Sequence, residues 1–333
     1  MTAAAVLGAG SWGTAFAQIL ADGELDGVTV WARREEVARG INEEHRNPDY
    51  LHEIELPTSI RATTDPAEAV RGADLVVLAV PSQSLRANLA DWGPAIPEGS
   101  LVVSLMKGIE LGTGLRMSEV MEASGIERDR IVVVSGPNLS REIAQRQPAA
   151  SVVASANFEA ADTVAAQVSQ PYFRPYTQTD VVGAEIGGAV KNVIALAVGM
   201  AEGLGYGDNT KSSLITRGLA EIARLGQALG ADPATLMGLA GVGDLIATCM
   251  SPLSRNHQVG VSLGQGSSVA ELMARPHQTA EGVKSCGSVV ELARRQGVDM
   301  PISEGVAAVI EGRATAAELT SALMSRARKH ERG

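Results

Sequence analysis

Residues 3–20 read AAAVLGAGSWGTAFAQIL, and this stretch sets the start of the fold. The apolar run Ala3–Leu7 leads into the glycine pattern Gly8-Ala9-Gly10-Ser11-Trp12-Gly13, and Thr14–Leu20 then has helical spacing. A strand, a GxGxxG turn and a helix in this order are typical of a dinucleotide site. We expect Gly8 to permit the tight turn, Gly10 to let backbone approach a pyrophosphate, and Gly13 to let helix and strand pack closely. A plain strand-to-helix turn is the alternative.

Further short apolar runs follow through the first half of the chain, with stretches of helical spacing between several of them. They lie at Val28–Trp31, Asp74–Val80, Leu101–Leu105, Arg130–Ser135, Ser151–Ala154 and Phe173–Thr177. Strands that alternate with helices predict a mainly parallel sheet.

After about residue 180 the strand signals stop and the pattern becomes helical. Asp208-Asn209 can cap a helix that ends at Gly230, and Asp232-Pro233 can open the next one. The first of these helices carries an apolar stripe of Ile215, Leu219, Ile222, Leu225 and Leu229. We therefore predict an α/β protein, with a Rossmann-like doubly wound sheet in residues 1–180 and an all-α substrate and catalytic domain in residues 181–333.

Composition limits the classes of partner. The chain has 333 residues, 45% of them hydrophobic and 20% charged, which is the balance of a folded protein rather than a disordered one. A net charge of −10 disfavours binding to nucleic acid or anionic membranes, so an anionic substrate needs locally placed Lys and Arg. The two cysteines form no CxxC, and no histidine has zinc-ligand spacing. We expect no metal site.

The location of the protein is also predicted from sequence. The start, MTAAAVLGAG, has no basic n-region, and the longest run that looks buried, roughly Val193 to Ala201, is too short to span a bilayer. We expect a cytoplasmic protein without stable membrane insertion. The helical half is expected to supply a homodimer surface that the sequence does not locate.

Arg33 and Arg34 follow the second predicted strand, where an NAD-specific site usually places an acidic residue for the ribose 2′-hydroxyl. Guanidinium groups match a 2′-phosphate instead, so NADP(H) is favoured and NAD(H) tolerated. Two solvated arginines at a strand end are the alternative.

Lys191 lies in the stretch GGAVKNVIALAV of residues 187–198, which is apolar on nearly every helical face. Burial of a lysine lowers its pKa toward the range useful for proton transfer, so Lys191 is a candidate general acid and base. A lysine that snorkels outward is the alternative. Asp244, in a Gly-Val-Gly-Asp turn, can pair with it, hold a substrate hydroxyl or cap a helix.

Other polar groups are expected at the carboxyl ends of strands or near the substrate. Lys107 follows the strand Leu101–Leu105, where doubly wound sheets bind ligands, although it can also be a solvated loop lysine. Ser135-Gly136-Pro137-Asn138 follows another strand, and an ordinary turn also uses such residues. Ser254-Arg255-Asn256 can clamp a phosphate dianion or merely cap a helix.

These blocks together resemble the bacterial NAD(P)-dependent glycerol-3-phosphate dehydrogenases, and the similarity runs from the N-terminus to about Ser285. The blocks occur in the family's order: Gly8–Gly13 with Trp12, Val80-Pro81-Ser82-Gln83, Ser104–Gly108, Ser135–Asn138, Val190-Lys191-Asn192, Gly241–Leu245 and Leu253–Asn256.

The resemblance implies reversible reduction of dihydroxyacetone phosphate to glycerol 3-phosphate, which supplies glycerophospholipid synthesis. It implies that Lys191 exchanges a proton with the C2 oxygen and that Lys107 orients substrate beside the cofactor. Residues implied to bind substrate also include Gly136, Asn138, Asp244, Ser254, Arg255 and Asn256. Residues implied to line the NADP or NAD site are Gly8, Gly10, Ser11, Trp12, Gly13, Arg33, Arg34, Tyr50, Lys107, Ser140, Arg255, Thr279 and Glu281.

Some positions depart from the family pattern. Asn138 stands where many relatives carry Ser, Ser140 where Ala is commoner, and Lys284 where Arg is usual. Lys284 cannot reproduce a bidentate arginine contact. Two other functions are compatible with the fold: a dehydrogenase for β-hydroxy acids or ketopantoate, which would need a carboxylate site, and a nucleotide sensor that has lost catalysis. The presence of Lys107, Lys191 and Asp244 argues against the sensor.

Overall fold

The computed structural model describes residues 3–23, 25–274, 280–327 and 330. Its first half holds one eight-stranded sheet in the order β3-β2-β1-β4-β5-β6-β7-β8. The strands are β1 Ala3–Leu7, β2 Gly27–Trp31, β3 Ile60–Thr63, β4 Leu75–Leu78, β5 Leu101–Ser104, β6 Ile131–Ser135, β7 Ala149–Ala154 and β8 Phe173–Gln178.

Helices lie between the strands and make up the regular structure after β8. The helices of the sheet half are α1 Ser11–Ala21, α2 Glu35–Arg39, α3 Pro66–Ala69, α4 Leu85–Trp92, α5 Met117–Ala123, α6 Ser140–Ala144 and α7 Phe158–Val168. The later helices are α8 Val181–Gly203, α9 Asp208–Ala228, α10 Pro233–Leu236, α11 Asp244–Met250, α12 Arg255–Gly264, α13 Val269–Met273, α14 Glu281–Arg295, α15 Pro301–Ile310 and α16 Ala316–Met324.

The prediction of a mainly parallel sheet is confirmed, because every neighbouring pair of described strands is parallel except β6 with β7. The sequence missed β3, an edge strand of which only Ile60 is buried, so it lacks an apolar run. The predicted strand Asp74–Val80 is too long at both ends. β4 stops at Leu78, and the following Ala79 carbonyl lies against Gly8 instead.

Helix α8 is the core of the second half. It begins where the Asp180 side chain caps it by accepting from the Gly183 amide, and it is buried from Gly183 to Ala201. The buried run is therefore much longer than Val193–Ala201. The stretches Val181–Gly203 and Pro233–Met250 are long and apolar enough to cross a membrane, but 89% of the first apolar window is buried inside the protein. Such burial is typical of a core helix.

Glycines let α8 and α12 pack with their backbones in contact. A Cβ on Gly199 or Gly203 of α8 would overlap carbonyl oxygens of α12, and one on Gly260 or Gly264 would overlap those of α8. Small residues four apart on both helices therefore permit the close approach. This contact fixes α12, whose first turn carries Arg255 and Asn256.

Candidate active site

Lys191, Asp244 and Lys107 form one connected charge network. The Lys191 ammonium and the Lys107 ammonium donate to different oxygens of Asp244, the second at 2.7 Å between Nζ and Oδ2. Lys107 Nζ also donates to the Gly136 carbonyl at 2.9 Å. Lys191 and Asp244 are 6% and 1% exposed. Groups that the sequence placed on a strand end, a long helix and a glycine turn thus meet at one point.

The network forms because two glycines of α8 remove side chains from its path. A Cβ on Gly187 would overlap the Ala240 carbonyl, and one on Gly188 would lie 3.3 Å from Lys107 Cγ. Ala240 belongs to the π-helical turn Leu239–Gly243, which leads directly into α11 and its first residue, Asp244. The paired glycines therefore let Asp244 and Lys107 both reach Lys191.

Burial lowers the pKa of Lys191 to about 8. The nearby carboxylate of Asp244 opposes this shift by favouring the ammonium, whereas the second ammonium, on Lys107, reinforces it. A lysine with such a pKa can both release and take up a proton near neutral pH. The outward-snorkelling alternative for Lys191 does not describe this structure.

The sequence reasoning missed Thr248, which lies one turn after Asp244 on α11. Its hydroxyl oxygen accepts from Lys191 Nζ at 2.6 Å, and its Oγ1 lies 3.4 Å from Asp244 Oδ1. The available signal was the i, i+4 spacing from Asp244, which places both side chains on one helix face. Thr248 thereby helps to fix the direction in which the Lys191 ammonium points.

The start of α12 holds three predicted substrate residues, Ser254, Arg255 and Asn256, and each has a different environment. Ser254 Oγ caps the helix by accepting from the His257 amide at 3.3 Å. Asn256 is buried, and its amide donates to Asn192 Oδ1 at 2.9 Å. Arg255 is exposed. Ser254 therefore does cap the helix, and the guanidinium of Arg255 remains accessible to an anion.

Asn256 and Glu281 connect α12 to the beginning of α14 and to the sheet. Asn256 Oδ1 accepts from the Gly282 amide at 2.9 Å. The neighbouring Glu281 accepts from the Ser82 hydroxyl and from the Ser82 amide, the latter at 3.2 Å. Glu281 is thus not a free surface carboxylate, and the contact brings the loop after β4 against the helical half.

The glycine loop after β1 has the shape that a pyrophosphate requires. Gly8 has φ +126°, and a Cβ on Gly13 would overlap the Gly8 carbonyl, so both positions need glycine. A Cβ on Gly10 would meet no atom within 4 Å, so the backbone there faces open space. The Trp12 indole N–H is buried without a hydrogen-bond partner among the described residues. Open space beside the start of α1 fits the phosphates of a dinucleotide.

Of the other residues predicted to bind the cofactor, three lie between β2 and β3 and one begins α6. Arg33 and Arg34 follow β2 and are exposed, and the half-buried Tyr50 follows a segment bonded to the glycine loop. Ser140 begins α6, which packs against α1. Thr279 lies outside the described residues.

Gly136 and Asn138 lie where β6 ends. Gly136 has φ +144°, a conformation that favours glycine, and its carbonyl accepts a hydrogen bond from the Lys107 ammonium. The Asn138 amide donates to Ser151 Oγ at 3.2 Å, which leaves its buried Oδ1 without a partner among the described residues. Ser135 Oγ is also buried and unpartnered within the described part. Unpaired oxygens near the end of β6 can accept from substrate hydroxyls.

No group of metal-ligating side chains is found within the described ranges.

The chain is similar over its whole length to named dehydrogenases. Residues 3–161 match the N-terminus and residues 180–321 the C-terminus of NAD-dependent glycerol-3-phosphate dehydrogenase. A protein of Streptomyces griseus named glycerol-3-phosphate dehydrogenase (NAD(P)+) is 61% identical, over 99% of this chain and 98% of that one. Its namesake from Thermobifida fusca is 58% identical, over 100% and 99%. The crystal structure of glycerol-3-phosphate dehydrogenase from Coxiella burnetii superimposes with a TM-score of 0.92 at 31% identity, over 98% and 99% of the two chains.

Proposed function

The chain belongs to the NAD-dependent glycerol-3-phosphate dehydrogenase family, and from this premise we propose that Lys191 is the proton donor and acceptor of its reaction. The protein is an NAD(P)-dependent oxidoreductase that interconverts dihydroxyacetone phosphate and sn-glycerol 3-phosphate. The observation that supports the role of Lys191 is its buried ammonium, held between Asp244 and Thr248 with a pKa near 8.

In the direction of reduction, the Lys191 ammonium gives a proton to the oxygen at C2 of the ketone. When bound, the reduced nicotinamide supplies the hydride to that carbon, so the C=O bond becomes a CH–OH group. In the reverse direction, neutral Lys191 takes the hydroxyl proton back. Asp244 stabilises the charged form of Lys191, and Thr248 orients it, so the proton is held at a defined atom.

Lys107 has a separate role in this proposal. Its ammonium is fixed by Asp244 and by the Gly136 carbonyl, and it adds positive charge beside Lys191. A cation at this place attracts a phosphorylated substrate and favours the neutral form of Lys191 by repulsion. Gly136 and Asn138, with the unpaired Asn138 oxygen, are proposed to meet a substrate hydroxyl.

The start of α12 is proposed to hold the substrate phosphate. Arg255 offers an exposed guanidinium, which can bind a phosphate with two parallel hydrogen bonds. Ser254 and Asn256 fix the first turn around it, because one caps the helix and the other bonds Asn192 beside Lys191. The phosphate end and the ketone end of a triose are then held by neighbouring groups.

The dinucleotide is proposed to lie along the Gly8–Gly13 loop, with Ser11, Trp12 and Tyr50 around it and Arg33 and Arg34 toward the ribose. Lys107, Ser140, Arg255, Thr279 and Glu281 complete the proposed cofactor set. We further propose that residues 1–180 and 181–333 are its two domains, that NADPH is favoured over NADH, that the enzyme acts in the cytoplasm as a homodimer, and that its product supplies glycerophospholipid synthesis.

An NADPH-oxidation assay with dihydroxyacetone phosphate, repeated with unphosphorylated dihydroxyacetone, tests this function. We expect turnover with the phosphorylated ketone and a large loss of kcat/KM without the phosphate, because the Arg255 clamp then has no anion to bind. Activity on ketopantoate or a β-hydroxy acid, with none on dihydroxyacetone phosphate, would contradict the proposal.

A further inference from the structure

An acidic side chain stands against one of the two arginines at the end of β2. Asp49 forms an ion pair with Arg34, which is the residue that precedes α2. The sequence had favoured NADP(H) because arginines, not a carboxylate, follow this strand. The fold supplies the carboxylate from a different segment.

Asp49 is also tied to the glycine loop. Its neighbour Asn47 is fully buried, and the Asn47 amide donates to the Ala9 carbonyl at 2.9 Å and to Thr14 Oγ1 at 2.8 Å. Asn47 Oδ1 accepts from the Asp49 backbone amide at 3.1 Å. Asp49 is therefore held between the Gly8–Gly13 loop and Arg34.

Asp49 lies in a part of the fold that has a known role in dinucleotide binding. The crevice between the glycine loop and the end of the second strand is where the adenosine ribose of a dinucleotide lies, and an acidic group there accepts from the 2′-hydroxyl. A 2′-phosphate at the same point must instead compete with the Asp49 carboxylate for the Arg34 guanidinium.

We propose that Asp49 is a specificity-determining residue that weakens selection of the 2′-phosphate, so that the site accepts both NADP(H) and NAD(H). The inference rests on the dinucleotide site of the proposed function. Arg34 attracts the 2′-phosphate, whereas Asp49 occupies Arg34 and offers an acceptor to a ribose without that phosphate.

The size of the effect follows from exposure. The Arg34 and Asp49 side chains are 42% and 23% exposed, so water and salt screen the pair. Exposed ion pairs are weak, and release of one should change affinity by about three- to fivefold rather than by decades.

The test is a binding measurement that needs no turnover. Isothermal titration of the full chain with adenosine 2′,5′-bisphosphate and with AMP compares ligands that differ by the 2′-phosphate. We expect Asp49→Asn to tighten the bisphosphate by about three- to fivefold and to leave AMP unchanged or weaker. The gain should shrink at high salt. An unchanged or weaker bisphosphate affinity, or an equal gain for AMP, overturns the inference.

Matched variants separate the local contact from a general change of charge. Glu53→Gln removes a carboxylate from the same segment, one that pairs with Arg141 at 2.7 Å, and should leave both affinities unchanged. Asp49→Glu keeps the charge and should behave like the wild type. In an Arg34→Gln background, Asp49→Asn should no longer tighten the bisphosphate. The inference is also overturned if Glu53→Gln tightens the bisphosphate as much as Asp49→Asn does. It is overturned as well if Asp49→Asn still tightens the bisphosphate in the Arg34→Gln background.

The two proposals fail in different ways. Wild-type protein that binds both nucleotides but does not reduce dihydroxyacetone phosphate contradicts the function while leaving the Asp49 result to stand. Wild-type protein that binds neither nucleotide contradicts the dinucleotide site and the inference together.

Discussion

Lys191 and Asp244 lie 53 residues apart on different helices, and their side chains form a buried ion pair. The Asp244 carboxylate serves two cations, since its other oxygen accepts from Lys107 at 2.7 Å. One negative charge thus sits between two ammonium groups in a site that is shielded from water. The chemistry that we propose depends on this burial, which lowers the pKa of Lys191 and holds it close to the point of losing its proton, and the Lys107 ammonium adds to the effect.

Replacement of the proposed acid and base should affect turnover rather than cofactor binding. We expect Lys191→Ala to lower kcat by about 10²–10⁴-fold, the usual contribution of general acid and base catalysis. NADPH affinity, followed by fluorescence titration, should stay near the wild-type value. Lys211→Ala removes a lysine that pairs with Glu202 and Asp208 and is the control that should retain activity. An unchanged kcat in Lys191→Ala would exclude this residue from the mechanism.

The pH dependence should have opposite sense in the two directions. Lys191, with a pKa near 8, is an ammonium below that pH and neutral above it. Reduction needs the ammonium, so its kcat should fall as pH rises through about 8, whereas oxidation needs the neutral amine, so its kcat should fall as pH drops through the same region. Profiles of kcat against pH, measured in each direction at saturating substrate, check this. The same limb in both directions would be inconsistent with Lys191 as the proton carrier.

Loss of the Asp244 charge should move that profile toward lower pH. Asp244 favours the Lys191 ammonium, so Asp244→Asn should lower the midpoint of the pH profile for reduction by about one to three pH units. The kcat for reduction at neutral pH should fall as a consequence. Thr248→Val removes a hydrogen bond without removing charge, and its midpoint should move less. A midpoint that rises or stays fixed in Asp244→Asn would show that the carboxylate does not control Lys191.

The glycine pair of α8 should tolerate no side chain. A methyl group on Gly187 would overlap the Ala240 carbonyl and push the turn before Asp244 away. We expect Gly187→Ala to destabilise the fold by about 1–3 kcal/mol, as overpacking does, and to reduce kcat. Gly287→Ala on the exposed face of α14 meets no atom within 4 Å and should leave stability equal or higher. Urea denaturation of both variants makes the comparison, and equal stabilities would contradict it.

A lysine should not replace the proposed phosphate clamp. Arg255→Lys keeps the charge but loses the paired hydrogen bonds, so kcat/KM for dihydroxyacetone phosphate should fall by about 10- to 100-fold. The low activity on unphosphorylated dihydroxyacetone should not change. Arg294→Lys, at a side chain that is 68% exposed on α14, is the control. A similar loss with both ketones would mean that Arg255 does not bind the phosphate.

Local pattern predicted much of the fold. Apolar runs that alternate with helical spacing predicted the parallel sheet, whereas the edge strand Ile60–Thr63 was missed because only one of its residues is buried. Lys191 could be singled out because the residues around it are apolar on every helical face, which makes its burial a local property of the sequence.

Contacts between distant residues could not be read in this way. Pairing with Lys191 was one of several options for Asp244. The i, i+4 spacing from Asp244 was the one signal for Thr248, and it did not identify Lys191 as the partner. Asp49 gave no local signal that distinguished it from a surface carboxylate. The partner of Thr248 lies 57 residues away, and the partner of Asp49 is the residue that precedes α2.

By itself, the sequence determined the glycine turn after the first strand, the alternation of strands and helices, and the apolar surroundings of one lysine, because each is a property of neighbouring residues. The tertiary structure alone decided that one carboxylate joins two lysines and that a carboxylate stands beside Arg34. The physical reason is that side-chain charges act over a few ångströms of space. Only the close packing of α8 against the turn before α11, and the anchoring of Asn47 on the glycine loop, bring those charges within reach of each other.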